Sequence, residues 1–106
     1  MDQDKGIVPL DSVARIIADG LSEAALRLDH ADCYEDFVAA VEAHRRVWQG
    51  LCEAAPGLGV DIPERIRSFS LAMPKKVDHG LSDYEIEALI CFDRYVSAAI
   101  TEAFPN

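Results

Sequence analysis

Apolar side chains recur every three or four residues along four successive stretches of this chain, a spacing that places each set on one face of an α-helix. Short breaks at residues 29–32, Pro56-Gly57 and Gly80 separate the stretches. None of them alternates apolar and polar residues as a half-buried strand does. The pattern therefore predicts an all-α protein, a compact four-helix bundle-like single domain.

The first two helices have recognisable ends in the sequence. Asp11 or Ser12 can cap the start of helix 1, so residues 1–10 are expected to be a flexible lead-in. Residues 11–106 then form the single helical domain. Helix 2 is expected to run from about Cys33 to Ala55, where a Pro-Gly pair ends it.

The last two helices carry stronger signals. Helix 3 is expected to open at Asp61 and to end at Gly80, with Pro74 inside its apolar stripe. Because the stripe stays in phase beyond the proline, the pattern predicts one Pro-kinked helix and not two. Ser82 and Glu85 have the spacing of a capping box, which marks the start of helix 4.

The charge balance excludes several kinds of partner. The chain has 19 acidic and 10 basic residues, for a net charge of −9. Such a field repels phosphate backbones and anionic lipids, so we expect no direct DNA binding and no membrane association. The polar start at residues 1–5, the lack of a long apolar run and an odd number of cysteines indicate a cytoplasmic protein with reduced thiols.

Catalytic and metal-binding patterns are weak. His30 and Cys33 have a spacing that metal ligands can use, but a closed zinc site needs about four ligands. The other histidines and cysteines are isolated, and nothing places a cysteine beside a histidine in a positive pocket. We therefore expect no metal, no cofactor and no enzymatic activity.

Six of the ten basic residues cluster in the middle of the sequence, and two interpretations are open. They could form a nucleic-acid patch where helices 2 and 3 meet, or they could pair with neighbouring acids on solvated faces, which we favour. The six are Arg45, Arg46, Arg65, Arg67, Lys75 and Lys76.

Asp93 falls in the middle of the apolar helix 4, where an unpaired charge would be costly. His44 and Arg45 interrupt the apolar stripe of helix 2 in the same way. The sequence therefore predicts a buried structural polar pair between Asp93 and either Arg45 or His44. Trp48, the single tryptophan, lies on the same stripe and is expected in the core.

Three segments of the chain resemble the FlaF family of flagellar regulators. They are His44-Arg45-Arg46-Val47-Trp48, Ile62-Pro63 followed by Ile66-Arg67, and Phe92-Asp93-Arg94-Tyr95-Val96, within residues 34–100. The resemblance implies a family motif made of Trp48, Ile62, Pro63, Arg67 and Arg94. The family is associated with flagellin production and export alongside the regulator FlbT. By resemblance, the expected partners are a flagellin-like helical segment and an FlbT-like regulator.

Helix 4 is apolar around most of its circumference, more than short neighbouring helices can easily cover. We therefore expect a partner-binding groove beside helices 1 and 4, lined by Ile16, Leu21, Phe92, Tyr95 and Ile100. The predicted function is that of a flagellin-binding regulator or export chaperone. Two alternatives stay open: a post-transcriptional regulator acting on RNA with a partner, and a helical oligomerisation module of unrelated role.

Overall fold

Five helical elements make up the structure, a computed structural model that describes residues 9–105. They are α1 (Leu10–His30), α2 (Tyr34–Leu58), α3 (Glu64–Ala72), a 3₁₀ helix (Met73–His79) and α4 (Asp83–Ala103). No strand occurs in this range, and the predicted all-α, four-helix architecture is confirmed.

The start of α1 differs from the prediction. The helix begins at Leu10, and no side chain caps it. The carbonyl of Pro9 instead accepts hydrogen bonds from the amides of Ser12 and Val13, both at 3.1 Å. A proline with φ of −59° is already close to the helical value and suits the residue before a helix. Most of the predicted lead-in, residues 1–8, lies outside the described residues.

The predicted end of helix 2 at Ala55 is wrong, because α2 continues through Pro56 to Leu58. A proline removes only one hydrogen bond in the last turn, so the helix tolerates it there. The chain turns at Gly59, which has a φ of 71°. The amide of Val60 donates to the Ala55 carbonyl at 3.3 Å and that of Gly59 to Pro56 at 3.4 Å, which is a Schellman motif.

The third helix changes type at its proline. The chain stays helical past Pro74, as the stripe predicted, but α geometry ends at Ala72 and the segment from Met73 to His79 is 3₁₀. Pro74 lies in the first turn of that 3₁₀ helix and is buried. Gly80 ends the segment with a φ of 88°, where the sequence placed the end.

α1 packs against both α2 and α4 and so lies at the centre of the helix packing. Its buried face consists entirely of apolar side chains, several of them small enough to let neighbouring helices approach: Ala14, Ile17, Ala18, Leu21, Ala24, Ala25 and Leu28. α3 and the 3₁₀ helix pack on α2, and α3 also reaches α4. No helix in residues 9–105 is long and apolar enough to cross a membrane.

The start of α4 is the capping box that the sequence predicted. Ser82 Oγ accepts from the Glu85 amide at 3.1 Å, and Glu85 Oε1 accepts from the Ser82 amide at 2.9 Å. The other oxygen of Glu85 accepts from Lys76 Nζ at 2.9 Å. The hydrogen bond from Lys76, followed by that from the Ser82 amide, lowers the pKa of Glu85. This carboxylate therefore ties the 3₁₀ helix to the start of α4.

Candidate functional site

Asp93 on α4 meets two residues of α2 in the protein interior. Its Oδ2 lies 2.8 Å from His44 Nδ1, and its Oδ1 accepts a hydrogen bond from Trp48 Nε1 at 2.6 Å. All three side chains are fully buried. His44 and Trp48 stand four residues apart on one face of α2, which is why a single carboxylate can reach both.

Of the two partners predicted for Asp93, the structure brings His44 to it and places Arg45 elsewhere. Arg45 lies on the half-exposed side of α2, where its Nε donates to Glu42 Oε1 at 2.9 Å. Consecutive residues of a helix point about 100° apart, so only one of them can face α4. The predicted buried pair is therefore present with His44, and the Arg45 alternative is excluded.

The contact of the second ring nitrogen of His44 shows which nitrogen carries a hydrogen. Nε2 lies 3.0 Å from the main-chain carbonyl of Ser70 on α3. A carbonyl can only accept, so Nε2 must carry a hydrogen. One further proton then lies between Nδ1 and the Asp93 carboxylate, whether the pair is imidazolium with carboxylate or imidazole with carboxylic acid. In either form the pair has no net charge.

Burial dominates the titration of Asp93. Loss of solvent raises the pKa of this carboxyl, and the hydrogen bond and charge of His44, followed by the Trp48 hydrogen bond, oppose the shift. An unpaired charge at this depth would be strongly destabilising. The contacts with His44 and Trp48 therefore allow a titratable group to occupy the core.

The carbonyl that His44 contacts is available because of Pro74. In a continuous α-helix the Ser70 carbonyl would accept from the amide four residues later, but proline has no N–H. His44 provides a donor from α2 in its place. The proline that changes the helix type thus also creates the link between α3 and α2.

An apolar depression of about 490 Å³, here called the α3–α4 hollow, lies between α3 and α4. Arg65 is its one charged lining residue. The others are Pro63, Ile66, Phe69, Tyr84, Ala88 and Phe92. The rings of Phe69 and Phe92 pack edge to face, with centroids 5.5 Å apart and an angle of 89°. Since Phe69 precedes Ser70 and Phe92 precedes Asp93, the buried polar contacts hold both walls.

The five residues predicted to line a groove beside helices 1 and 4 do not share one surface. Leu21 and Ile100 are buried in the core, because α1 and α4 pack directly against each other. Ile16 is 67% exposed and faces a groove between α1 and α2, and Tyr95 is 56% exposed on α4. Only Phe92 reaches the α3–α4 hollow. The five residues therefore do not form one groove. A depression of about 220 Å³ does lie between α1 and α4, and of the five predicted residues only Ile100 lines it.

The motif residues from the resemblance occupy several environments. Trp48 is buried and Ile62 packs against the core. Pro63 precedes α3 and lines the hollow. Arg67 pairs with Glu64 on the surface of α3, and Arg94 Nη2 lies 3.6 Å from Asp29 Oδ2, linking α4 to the end of α1. The five residues therefore do not converge on one point.

Four of the six clustered bases are engaged by acids. Arg45 and Arg46 share Glu42, Arg67 pairs with Glu64, and Lys76 pairs with Glu85. The hydrogen bond from Arg45 is the largest of the contributions that lower the pKa of Glu42 to about 2. These pairs support the interpretation of solvated, charge-paired faces over that of a nucleic-acid patch.

The cysteines and the His30–Cys33 pair form no centre in the part of the chain that the structure describes. His30 and Cys33 are exposed, and no cluster of three metal-ligating side chains occurs there. All three cysteines are free. Burial raises the pKa of the Cys52 thiol.

Two parts of the site escaped the sequence analysis. The Ser70 carbonyl was missed because side-chain patterns do not show which main-chain groups lack a donor, although Pro74 four residues later was the available signal. Tyr84, which is 80% exposed, was missed because it lies off the apolar stripe of α4.

No protein-family model matches the chain, and the searches of curated proteins and of solved structures also gave no match. The resemblance to the FlaF family stays a prediction.

Proposed function

We propose that this protein is a cytoplasmic, flagellin-binding regulator or export chaperone of flagellum biogenesis that acts by protein–protein binding and not by catalysis. The observation that carries the proposal is the α3–α4 hollow, which has aromatic walls and a single charged lining residue. A depression of this kind suits the apolar face of an amphipathic helix. Resemblance supplies the client, a helical segment of a flagellin-like protein.

The residues of the hollow overlap the segments that carry the resemblance. Pro63, Ile66 and Phe92 belong to those segments and line the hollow. Trp48 and Asp93, from the same segments, meet in the core behind it. The motif would therefore serve both to build the hollow and to contact the client.

An exposed tyrosine at the hollow adds support to the proposal that a client binds there. Tyr84 is 80% exposed although it is a large aromatic residue at the rim of an apolar surface. Tyrosine is enriched at binding hot spots because it contributes a large apolar area and a polar tip at low entropic cost. We therefore assign Tyr84 to client contact.

The charge of the protein favours association with a basic or amphipathic segment. A net charge of −9 speeds the encounter with such a client more than it deepens the final affinity. An FlbT-like regulator is the second partner that the resemblance implies. The ion-paired bases favour the protein client over RNA.

Titration of the full-length protein with the terminal helices of its own organism's flagellins, at physiological salt, tests the proposal. We expect binding with at least micromolar affinity, weakened at least fivefold by Tyr84→Ala. Tyr95→Ala is the matched control, because Tyr95 is a second exposed tyrosine of α4 that does not line the hollow. It should change the affinity less than twofold.

Equal effects of the two substitutions would contradict the assignment of the hollow. Failure of all flagellin helices to bind would contradict the flagellar role. Self-association of the purified chain in that case would favour the oligomerisation module.

A further inference from the structure

We propose that the His44–Asp93 pair is a proton-dependent latch, which holds α3 against α2 while it keeps its shared proton and releases α3 when that proton is lost. The latch would regulate the α3–α4 hollow, since α3 forms one wall of it. The release of α3 is inferred from the buried contacts alone. The effect of that release on client binding rests on the proposed function.

The geometry requires one hydrogen in each of the two contacts that the His44 ring makes. The ring of His44 contacts Asp93 through Nδ1 at 2.8 Å and the Ser70 carbonyl through Nε2 at 3.0 Å. With the shared proton in place, both contacts contain a hydrogen. Once it leaves, the neutral ring has one N–H and faces two acceptors. One of the two contacts must then fail.

The contact with Ser70 is the weaker of the two. After proton loss Asp93 is a carboxylate, and hydrogen bonds to an ionised acceptor are about twice as strong as those to a neutral carbonyl. Trp48 also holds this carboxylate in place at 2.6 Å. The remaining N–H therefore stays on Nδ1, and the lone pair of Nε2 faces the lone pairs of the Ser70 carbonyl.

No third titratable group is buried beside the pair in the part of the chain that the structure describes. Among the described residues, His44 and Asp93 are the only fully buried titratable groups. The buried residues of α1 are all apolar, and the 3₁₀ helix buries only Pro74. The adjacent arginines face outward, Arg45 to Glu42 and Arg94 to Asp29. The state of the pair is therefore set by its own proton.

Apart from this contact, α3 is held by half-buried side chains, Ile66 and Leu71 against one part of the core and Phe69 against the other. Of its nine residues only Ser70 is buried. Pro74 supplies no amide to the Ser70 carbonyl, so loss of His44 leaves that carbonyl without its α2 donor. Elements with few buried contacts open at low free-energy cost. Release of α3 is accordingly the expected response, while α1, with seven buried residues, stays in place.

Hydrogen exchange on the full-length protein between about pH 5.5 and 9.5 tests the latch. As the pH rises toward the midpoint at which the pair loses its proton, the protection factors of α3 amides should fall by up to tenfold per pH unit, as linkage to a single proton requires. Amides of α1, which exchange only when the whole fold opens, should stay more protected than those of α3 at every pH. Equal protection factors for α3 and α1 amides at every pH would overturn the proposal, because α3 would then open only with the whole fold.

Asp93→Asn is the matched control. The amide oxygen can accept from Trp48, and the amide nitrogen can donate to Nδ1 of a neutral imidazole whose Nε2 keeps its hydrogen. Both contacts then persist with no proton to lose, so α3 protection should not fall as the pH rises. The same pH-dependent loss of protection in Asp93→Asn would overturn the latch.

A measurement on the unmodified chain does not depend on the folding of a variant. The ¹⁵N resonances of the His44 ring should report loss of one hydrogen at the midpoint of the α3 opening. Separate midpoints, or no titration of the pair by about pH 9.5, would overturn the proposal. Titrations with flagellin helices below and above that midpoint separate the release of α3 from its effect on client binding.

Binding lost only above the midpoint supports regulation of the hollow, and unchanged binding while α3 opens contradicts it. Absence of binding on both sides counts against the proposed function, while hydrogen exchange still decides the latch.

Discussion

The ring of His44 supplies the hydrogen-bond donor that Pro74 lacks, because its Nε2 lies 3.0 Å from the Ser70 carbonyl, four residues before the proline. One proline therefore has two effects. It ends the α geometry of α3 and it exposes a carbonyl that a buried side chain of another helix can use. The packing of α2, α3 and α4 at this point depends on the donor that His44 supplies in place of the missing proline amide.

Removal of the Asp93 carboxylate should be far more costly than its conversion to an amide. Asp93→Ala leaves the Trp48 N–H and the His44 Nδ1 without a partner in the core, so we expect a loss of about 3–5 kcal/mol. Asp93→Asn retains both contacts and should lose less than about 1.5 kcal/mol. Urea denaturation of the two variants measures the difference. Similar midpoints for Asp93→Ala and the parent would refute the buried network.

The pH dependence of stability should identify Asp93 as a group with a raised pKa. Its stabilising contribution is full below the unfolded pKa of about 3.9 and is lost as the pH rises through the higher folded pKa. The side-chain amide in Asp93→Asn does not titrate, so this variant should gain stability relative to the parent as the pH rises above about 4. Denaturation at several pH values gives this difference. A constant or falling difference between about pH 4 and 8 contradicts the assignment.

The hydroxyl of Ser70 should be dispensable, in contrast to its carbonyl. Ser70 Oγ is buried and has no hydrogen-bond partner among residues 9–105. A buried unpaired hydroxyl carries a desolvation cost, so Ser70→Ala should leave the free energy of unfolding unchanged or raise it by about 1 kcal/mol. The main-chain contact with His44 is retained in this variant. Thermal unfolding measures the effect, and a loss above about 2 kcal/mol would show that the hydroxyl has a partner.

Two helical glycines should respond in opposite ways to alanine. A Cβ at Gly20 would lie 2.8 Å from Val47 Cγ2, whereas a Cβ at Gly50 meets nothing within 4 Å. Gly50→Ala should therefore gain up to about 1 kcal/mol from helix propensity. Gly20→Ala should show no gain or lose about 1–3 kcal/mol, because the β-branched Val47 has little rotamer freedom. Equal gains at both positions would contradict the close approach of α1 and α2.

The sequence predicted those features that are written in local patterns. Helical periodicity gave the four helices, and Ser82 with Glu85 gave the start of α4. The charge of Asp93 inside an apolar helix led to the pairing with α2, since a buried carboxylate must have a partner.

Features that depend on how helices pack could not be predicted in this way. The apolar stripes of α1 and α4 looked available to a partner, but the two helices cover each other and bury Leu21 and Ile100. The choice between His44 and Arg45 depended on the rotation of α2 about its axis. The hollow depended on the position of α3, which Pro74 and His44 set together.

Binding of a client in the α3–α4 hollow is the central claim, and mapping of amide chemical shifts tests it most directly. The full-length, ¹⁵N-labelled protein is titrated with a terminal helix of its own organism's flagellin. We predict that the largest shifts fall on Ile66, Phe69, Ala88 and Phe92, which line the hollow. Shifts confined to the groove between α1 and α2, around Ile16, or no shifts at all, would contradict the claim.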